Sequence, residues 1–373
     1  MSVTTPVTET EQSLEPLSVQ PFLRALSELT GSDLHCKVGS PPRIRIDGRL
    51  RKLRSRALGP ADTDAMLDEI IRPDLKEQFQ KTNEADFGYS MPGVGRFRVN
   101  AFRARGSVGL VFRRVAIGAM SLEELGMPPS LAALALEPRG LVLVTGPTGS
   151  GKTTTLAAMV DHINTNREVH VVTIEDPIEV LHQDKTAMIN QREVRIDTDN
   201  FTVALRAAMR QDPDVVLVGE MRDAETVGAA LSASETGHFV MSTLHTTDAA
   251  ETIGRVIDFF PPHEQKQVRL SLAASLRGII CQRLVPRADG QGRTCVMEVC
   301  INTGRIADAI ADPDKTSTIT ELIAEGGFYG MQTFDQHLVA LYRDGIVSLE
   351  DAMGCSSSPH DLTVELRRLG LLS

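Results

Sequence analysis

Nine residues, Gly146-Pro147-Thr148-Gly149-Ser150-Gly151-Lys152-Thr153-Thr154, interrupt an apolar run and lead into a helical one. The pattern is that of a phosphate-binding loop. Its glycines let successive backbone N–H groups converge on phosphate oxygens, and the helix that follows adds partial positive charge at its N-terminus. Lys152 is spaced to reach the β and γ phosphates, and the Thr153 hydroxyl to ligate Mg²⁺. The context agrees. "GLVLVT" (140–145) reads as a buried strand, and Leu156, Met159, Val160 and Ile163 recur at helical spacing behind the loop. The chemistry implied is binding and cleavage of a nucleoside triphosphate, with ATP and Mg²⁺ the expected pair.

Cleavage needs a group that orients the attacking water, and the loop supplies none. "VVTIEDPIEVLHQ" places Glu175, Asp176 and Glu179 just beyond a strand, at the carboxyl edge where open α/β sheets bind ligands. "DVVLVGEMRD" reads as the strand carrying a second acidic contact to the metal, with a departure: Gly219 stands where an aspartate is usual, and Glu220 follows it. A plain ion pair with Arg222 is the alternative for Glu220. "ETGHFVMSTLHTTDA" sets His238 before and His245 after a strand. One of the two is expected to touch the γ phosphate or a neighbouring subunit, with packing the alternative; neither has Cys or His partners at metal-ligand spacing. Arg96, Arg98, Arg103, Arg105, Arg113 and Arg114 form a basic cluster with no acid among them. Arginines of this kind can stabilise charge on a transferring phosphoryl group from a neighbouring subunit; nucleic-acid contact or a solvated sheet face are the other readings.

These residues need a scaffold. "HVVTIE" (170–175), "DVVLVG" (214–219) and "HFVMST" (238–243) join "GLVLVT" as strands separated by helical segments, the alternation of a parallel α/β sheet. A hairpin of "CQRLV" and "TCVMEVC" about "DGQG" precedes helices from 303 onward. Ahead of this lies a smaller α+β domain. "PFLRALSEL" (21–29) is helical, "RIRIDGRLRKL" is a hairpin turning at Asp47-Gly48, and "GRFRVNAF" and "SVGLVFRRV" are strands. The expected organisation is a flexible tail over 1–18, a first domain over 19–115, a linker with one short helix over 116–138, and the ATPase domain over 139–373.

The chain has 373 residues, 42% of them hydrophobic, which suits two or three buried cores. No apolar stretch approaches a membrane span and the start lacks the order of a signal peptide, so a cytoplasmic protein is expected. A formal charge of −10 argues against nucleic acid as the main partner. Five cysteines without a Cys-x-x-Cys pair read as ordinary thiols.

Together the motifs resemble the secretion-type ATPases, and within them the PilT-type retraction ATPases of type IV pili. "GSDLH" (31–35), "NQREV" (190–194) and "GMQTFDQHL" (330–338) extend the match over nearly the whole folded chain. The resemblance implies a PAS-like N-terminal domain, a RecA-like P-loop ATPase domain, and a homo-hexameric ring in which each N-terminal domain packs on the next subunit. It implies Glu179 as the catalytic glutamate, Glu220 as the Walker B glutamate and metal ligand beside Thr153, and His238 with His245 as a histidine pair. It also implies Arg98 and Arg113 as arginines acting across subunits, an inner-membrane pilus platform protein as partner, and a paralogous retraction ATPase alongside. Assembly and secretion motors of the superfamily carry paired zinc cysteines that Cys295 and Cys300 cannot supply, which favours retraction. PilU-type accessory motors share the 330–353 segment. "TGRIADAIAD" (303–312) departs from the retraction pattern, with Ala307 where an arginine stands in that family.

Overall fold

The computed structural model describes residues 15–372, so the expected tail lies largely outside the described residues. Two compact units divide between Val115 and Ala116.

In the N-terminal unit the chain is held from Leu17, ahead of Pro21: Leu17 N donates to Asp62 Oδ1 at 2.9 Å and Val19 N to Glu69 Oε2 at 3.0 Å. Helix α1 (Gln20–Glu28) buries Leu23 and Leu26. Strands β1 (Asp33–Lys37), β2 (Arg43–Ile46) and β3 (Arg49–Lys52) follow. Asp47 and Gly48 turn β2 into β3 with φ of 47° and 75°, left-handed at both centres as a two-residue hairpin requires. Helices α2 (Pro60–Ile70) and α3 (Pro73–Thr82) precede β4 (Glu84–Met91), β5 (Gly95–Ala104) and β6 (Ser107–Arg114). The sheet is antiparallel in the order β3-β2-β1-β6-β5-β4. Leu34, Cys36, Ile44, Val99, Leu110 and Phe112 alternate onto one face and bury against the helices. The opposite face carries most of the charged side chains.

The second unit begins with β7 (Ala116–Ile117) and α4 (Pro129–Ala135). The stretch expected as a linker is not a free one. Leu122, Leu131, Leu134 and Ala135 are buried in the same cluster as Val142 and Val144, because enough apolar side chain lies between its Pro and Gly breaks to anchor it. Then come β8 (Gly140–Thr145), α5 (Lys152–Asn166), β9 (His170–Glu175), β10 (Val180–Leu181), β11 (Met188–Glu193), α6 (Phe201–Ala208), β12 (Val215–Val218), α7 (Ala224–Glu235) and β13 (Phe239–Leu244). Helices α8 (Ala249–Asp258) and α9 (Pro262–Ser275) lead to the hairpin β14 (Leu276–Pro286) and β15 (Arg293–Ile301), and α10 (Gly304–Ala311) opens a helical end. The seven-stranded order is β11-β9-β12-β13-β8-β14-β15, parallel except for β15. β8 is buried along its length: Leu141 and Leu143 face one core, Val142 and Val144 the other. Along β15, Cys295 packs with the second of these cores and Cys300 with the first. Odd spacing on a strand puts them on opposite faces, so they cannot share a ligand.

Candidate active site

The phosphate loop follows the central strand β8 and opens α5. Three glycines make its shape possible: Gly146, Gly149 and Gly151 have φ of 141°, 80° and 94°. A Cβ on Gly146 would collide with the Gln282 carbonyl and the Ser150 side chain, so only glycine fits. Lys152 Nζ donates to Gly146 O at 2.6 Å and to Pro147 O at 3.1 Å, which holds the ammonium over the loop mouth. Burial pushes its pKa down, against the pull of the Glu220 carboxylate. Behind the loop, Gln282 Nε2 donates to Thr155 Oγ1 at 2.7 Å and ties the first turn of α5 to β14.

A cavity of about 490 Å³ opens in front of this loop, within the usual range for small-molecule sites. Thr148, Gly149, Gly151, Lys152, Thr153 and Thr154 line it from the loop, and Glu175, Asp176 and Glu179 from the end of β9. Glu220 and His245 line it from the ends of β12 and β13. Parallel strands deliver all of these to one edge, so the sheet brings together residues spread over a hundred positions. Glu220 Oε1 lies 2.9 Å from His245 Nε2 and Oε2 lies 2.7 Å from Arg222 Nη2. The ion pair with Arg222 and the place in the cavity are therefore both real. Burial opposes the charge on Glu220, yet Arg222 and His245 outweigh it and hold the carboxyl below its ordinary range. His245 Nδ1 in turn lies 3.4 Å from Lys152 Nζ, which completes a chain from the loop to Glu220.

The three acids after β9 differ. Burial pushes the Glu175 pKa up, although Thr173 Oγ1 donates to it at 2.6 Å and Gln191 Nε2 at 3.1 Å. Asp176 pairs with Arg195 at 3.2 Å. The Glu179 side chain is exposed to the cavity, while its backbone N–H donates to the Glu175 carboxyl and its charge adds to the upward push on that group. It is the acid left available to a solvent molecule.

His238 does not join them. Strand parity brackets β13 with two histidines, but a strand has two ends, and His238 lies at the amino end, opposite the phosphate edge. There its Nδ1 sits 3.0 Å from Ala233 O and its backbone N–H donates to the same carbonyl, finishing α7. Arg98 and Arg113 stand opposite each other on β5 and β6 of the N-terminal unit. Arg113 Nε donates to Asp33 Oδ1 at 2.9 Å, so an acid from β1 joins a cluster that contains none in its own stretch of sequence. Three lining residues escaped the motif reading, Phe201, Leu284 and Arg293, and His182 lay inside a quoted motif without being singled out. The hairpin holding Leu284 and Arg293 was legible, but not its place beside β8; a Cβ on Gly151 would lie 3.8 Å from the Leu284 side chain.

Residues 12–308 match the family described as type II/IV secretion system protein. The type IV pilus retraction ATPase PilT of Pseudomonas aeruginosa is 46% identical over 330 residues, covering 88% of this chain and 95% of that protein. The type IV pilus ATPase PilU of the same organism is 40% identical over 351 residues, 94% of this chain and 92% of that one. The crystal structure of the pilus retraction motor PilT with bound ADP superposes with a TM-score of 0.84 at 42% identity, over 93% of this chain and 99% of that one. The Legionella pneumophila ATPase DotB gives a TM-score of 0.80 at 28% identity, over 92% and 98%. No helix among the described residues is long and apolar enough to cross a membrane. With its phosphate loop, its mixed α/β architecture and these likenesses, the chain is a nucleotide-binding ATPase that belongs to the type II/IV secretion system protein family, alongside its PilT-type members.

Proposed function

We propose that this chain is a homo-hexameric, Mg²⁺-dependent motor that powers type IV pilus retraction from the cytoplasmic side of the inner membrane, acting on a pilus platform protein. The observation that carries the reading is the convergence of Lys152, Glu179 and Glu220 on one cavity, while the arginine cluster belongs to a separately folded unit. Charge supports head-to-tail assembly. Residues 19–115 hold eighteen Lys and Arg against eleven Asp and Glu, and residues 116–373 hold twenty-one against thirty-five. A basic unit and an acidic unit in one chain attract between copies, and a heterologous contact that closes makes a ring.

In this mechanism the loop N–H groups and Lys152 grip the phosphates. The Thr153 hydroxyl and the Glu220 carboxylate are hard oxygen donors that suit Mg²⁺, which neutralises charge on the β and γ phosphates when bound. Glu179 orients the attacking water. His245 links Glu220 to Lys152 and so senses the γ phosphate between them. Arg98 and Arg113 of an adjoining copy complete the site on closure, and the stroke is the resulting movement of N-terminal against ATPase domains. Lys152→Ala should abolish ATP turnover in the purified protein; normal turnover would remove the assignment. Deleting the gene should leave surplus surface pili if the motor retracts, and too few if it assembles.

A second reading, an accessory motor of the PilU kind, is favoured by the match to PilU over 94% of the chain and by Ala307. It predicts that the isolated protein turns over ATP but removes no fibres without a paralogous retraction ATPase.

A further inference from the structure

The outer face of the N-terminal sheet carries a second cavity, of about 750 Å³. His35 and Lys37 reach it from β1, Arg43 from β2, Leu50 from β3, Phe102 from β5, and Arg105 from the turn into β6. No acidic residue lines it. Phe102 stands opposite Gly109, and a Cβ on that glycine would fall 2.8 Å from Cζ of the ring, so the tip of the phenyl covers the glycine. Arg43 is held at the rim by a 3.3 Å bond from its Nε to Ser40 Oγ. His35 lines the wall with its Nε2 buried and without a hydrogen-bond partner.

We infer that this cavity is a nucleotide site distinct from the phosphate loop, with phosphoryl oxygens between Lys37, Arg43 and Arg105 and the base stacked on Phe102. Guanidinium forks and ammonium groups converging without an acid select phosphate over a neutral ligand. The Phe102 ring offers a stacking platform for a base. The cavity also falls within the ordinary size range for small-molecule sites. Phosphoryl groups come on lipids too, but an acyl chain has no use for a planar platform.

The test uses the full chain carrying Lys152→Ala, which disables the first site, and a labelled non-hydrolysable ATP analogue in equilibrium dialysis. Residual saturable binding is expected. Adding Lys37→Glu or Arg43→Glu should weaken it at least about tenfold, as loss of one charged phosphate contact does. Phe102→Leu should weaken the analogue while leaving inorganic pyrophosphate unaffected. With Lys152 intact, the Lys37 and Arg43 reversals should leave ATP hydrolysis within about twofold, a control that the chain still folds. Absence of residual binding, or residual binding indifferent to both reversals, would overturn the inference. So would displacement by phosphatidylglycerol vesicles with no displacement by unlabelled nucleotide, which would assign the cavity to a lipid headgroup.

Discussion

Glu179 and Glu220 lie in one cavity but in opposite circumstances, and that difference predicts their variants. Glu220 is tied on both oxygens, to His245 and Arg222; Glu179 is exposed to the cavity. Glu179→Gln removes a proton acceptor while leaving the side-chain pairs of Glu220 in place. It should lower kcat on the order of 10²-fold or more while nucleotide affinity stays close to normal. Glu220→Gln breaks a charge-assisted pair and frees Arg222, so it should impair Mg²⁺-dependent nucleotide binding as well as turnover. Measuring kcat and nucleotide affinity separately decides this; an affinity loss in Glu179→Gln equal to that of Glu220→Gln would contradict the division of roles. Most of this was legible at the level of single residues, because a phosphate loop is local in sequence and acids at strand ends are pulled to one edge by the parallel sheet. Of the two histidines only His245 lines the cavity, and spacing could not choose between them, since it says that two residues flank a strand but not which end meets the ligand. Leu284 and Arg293 were invisible because their place at the cavity depends on which strand neighbours β8.

Among the elements, the segment after β13 shows how the site is held. His245 is followed by Asp248, whose side chain caps α8 by accepting from Glu251 N at 2.8 Å, a contact worth about 1 kcal/mol. Ala249 N, one residue on, donates to Glu298 Oε1 at 2.9 Å. Glu298 is buried on β15, and burial, reinforced by Asp248, pushes its pKa up to about 7. A carboxyl held above its ordinary 4.5 in the native protein binds its proton more tightly folded than unfolded. Its contribution to stability is thus full below about pH 4.5 and is lost as pH rises through 7, on the order of 3 kcal/mol in all. Glu298→Gln keeps an acceptor for Ala249 N and removes the titration. The variant should therefore gain stability relative to the wild type as pH rises from 5 to 8, read as a growing difference in denaturation midpoint. A constant difference across that range would show that Glu298 does not titrate there. The strand "TCVMEVC" was readable as half of a hairpin; helix α8 and the buried glutamate were not, because a Glu in that strand looks like the solvent side of an edge strand until α8 covers it.

For the whole molecule, the segregation of charge gives the sharpest expectation. The two units were separable in the sequence by pattern, and their opposite charge balance is also written there, but the packed segment over 116–138 was not, since proline and glycine mark breaks in chain direction and say nothing of burial. If arginines of one copy complete the cavity of another, two inactive proteins can repair each other. Lys152→Ala lacks a working loop but carries intact arginines. Arg98→Ala, with Arg113→Ala as a second variant, keeps the loop and lacks the donor; Arg98 is the cleaner choice because Arg113 also pairs with Asp33. In rings mixed in equal parts, roughly a quarter of interfaces join a sound loop to a sound donor. ATP turnover of the mixture should then exceed that of either parent, by an amount that falls as salt weakens contact between the acidic and basic units. Activity no higher than the parents at low salt, in a mixture that light scattering shows to be assembled, would place the arginines outside the reaction. Recovery that persists in dilute monomers would show that each chain completes its own site.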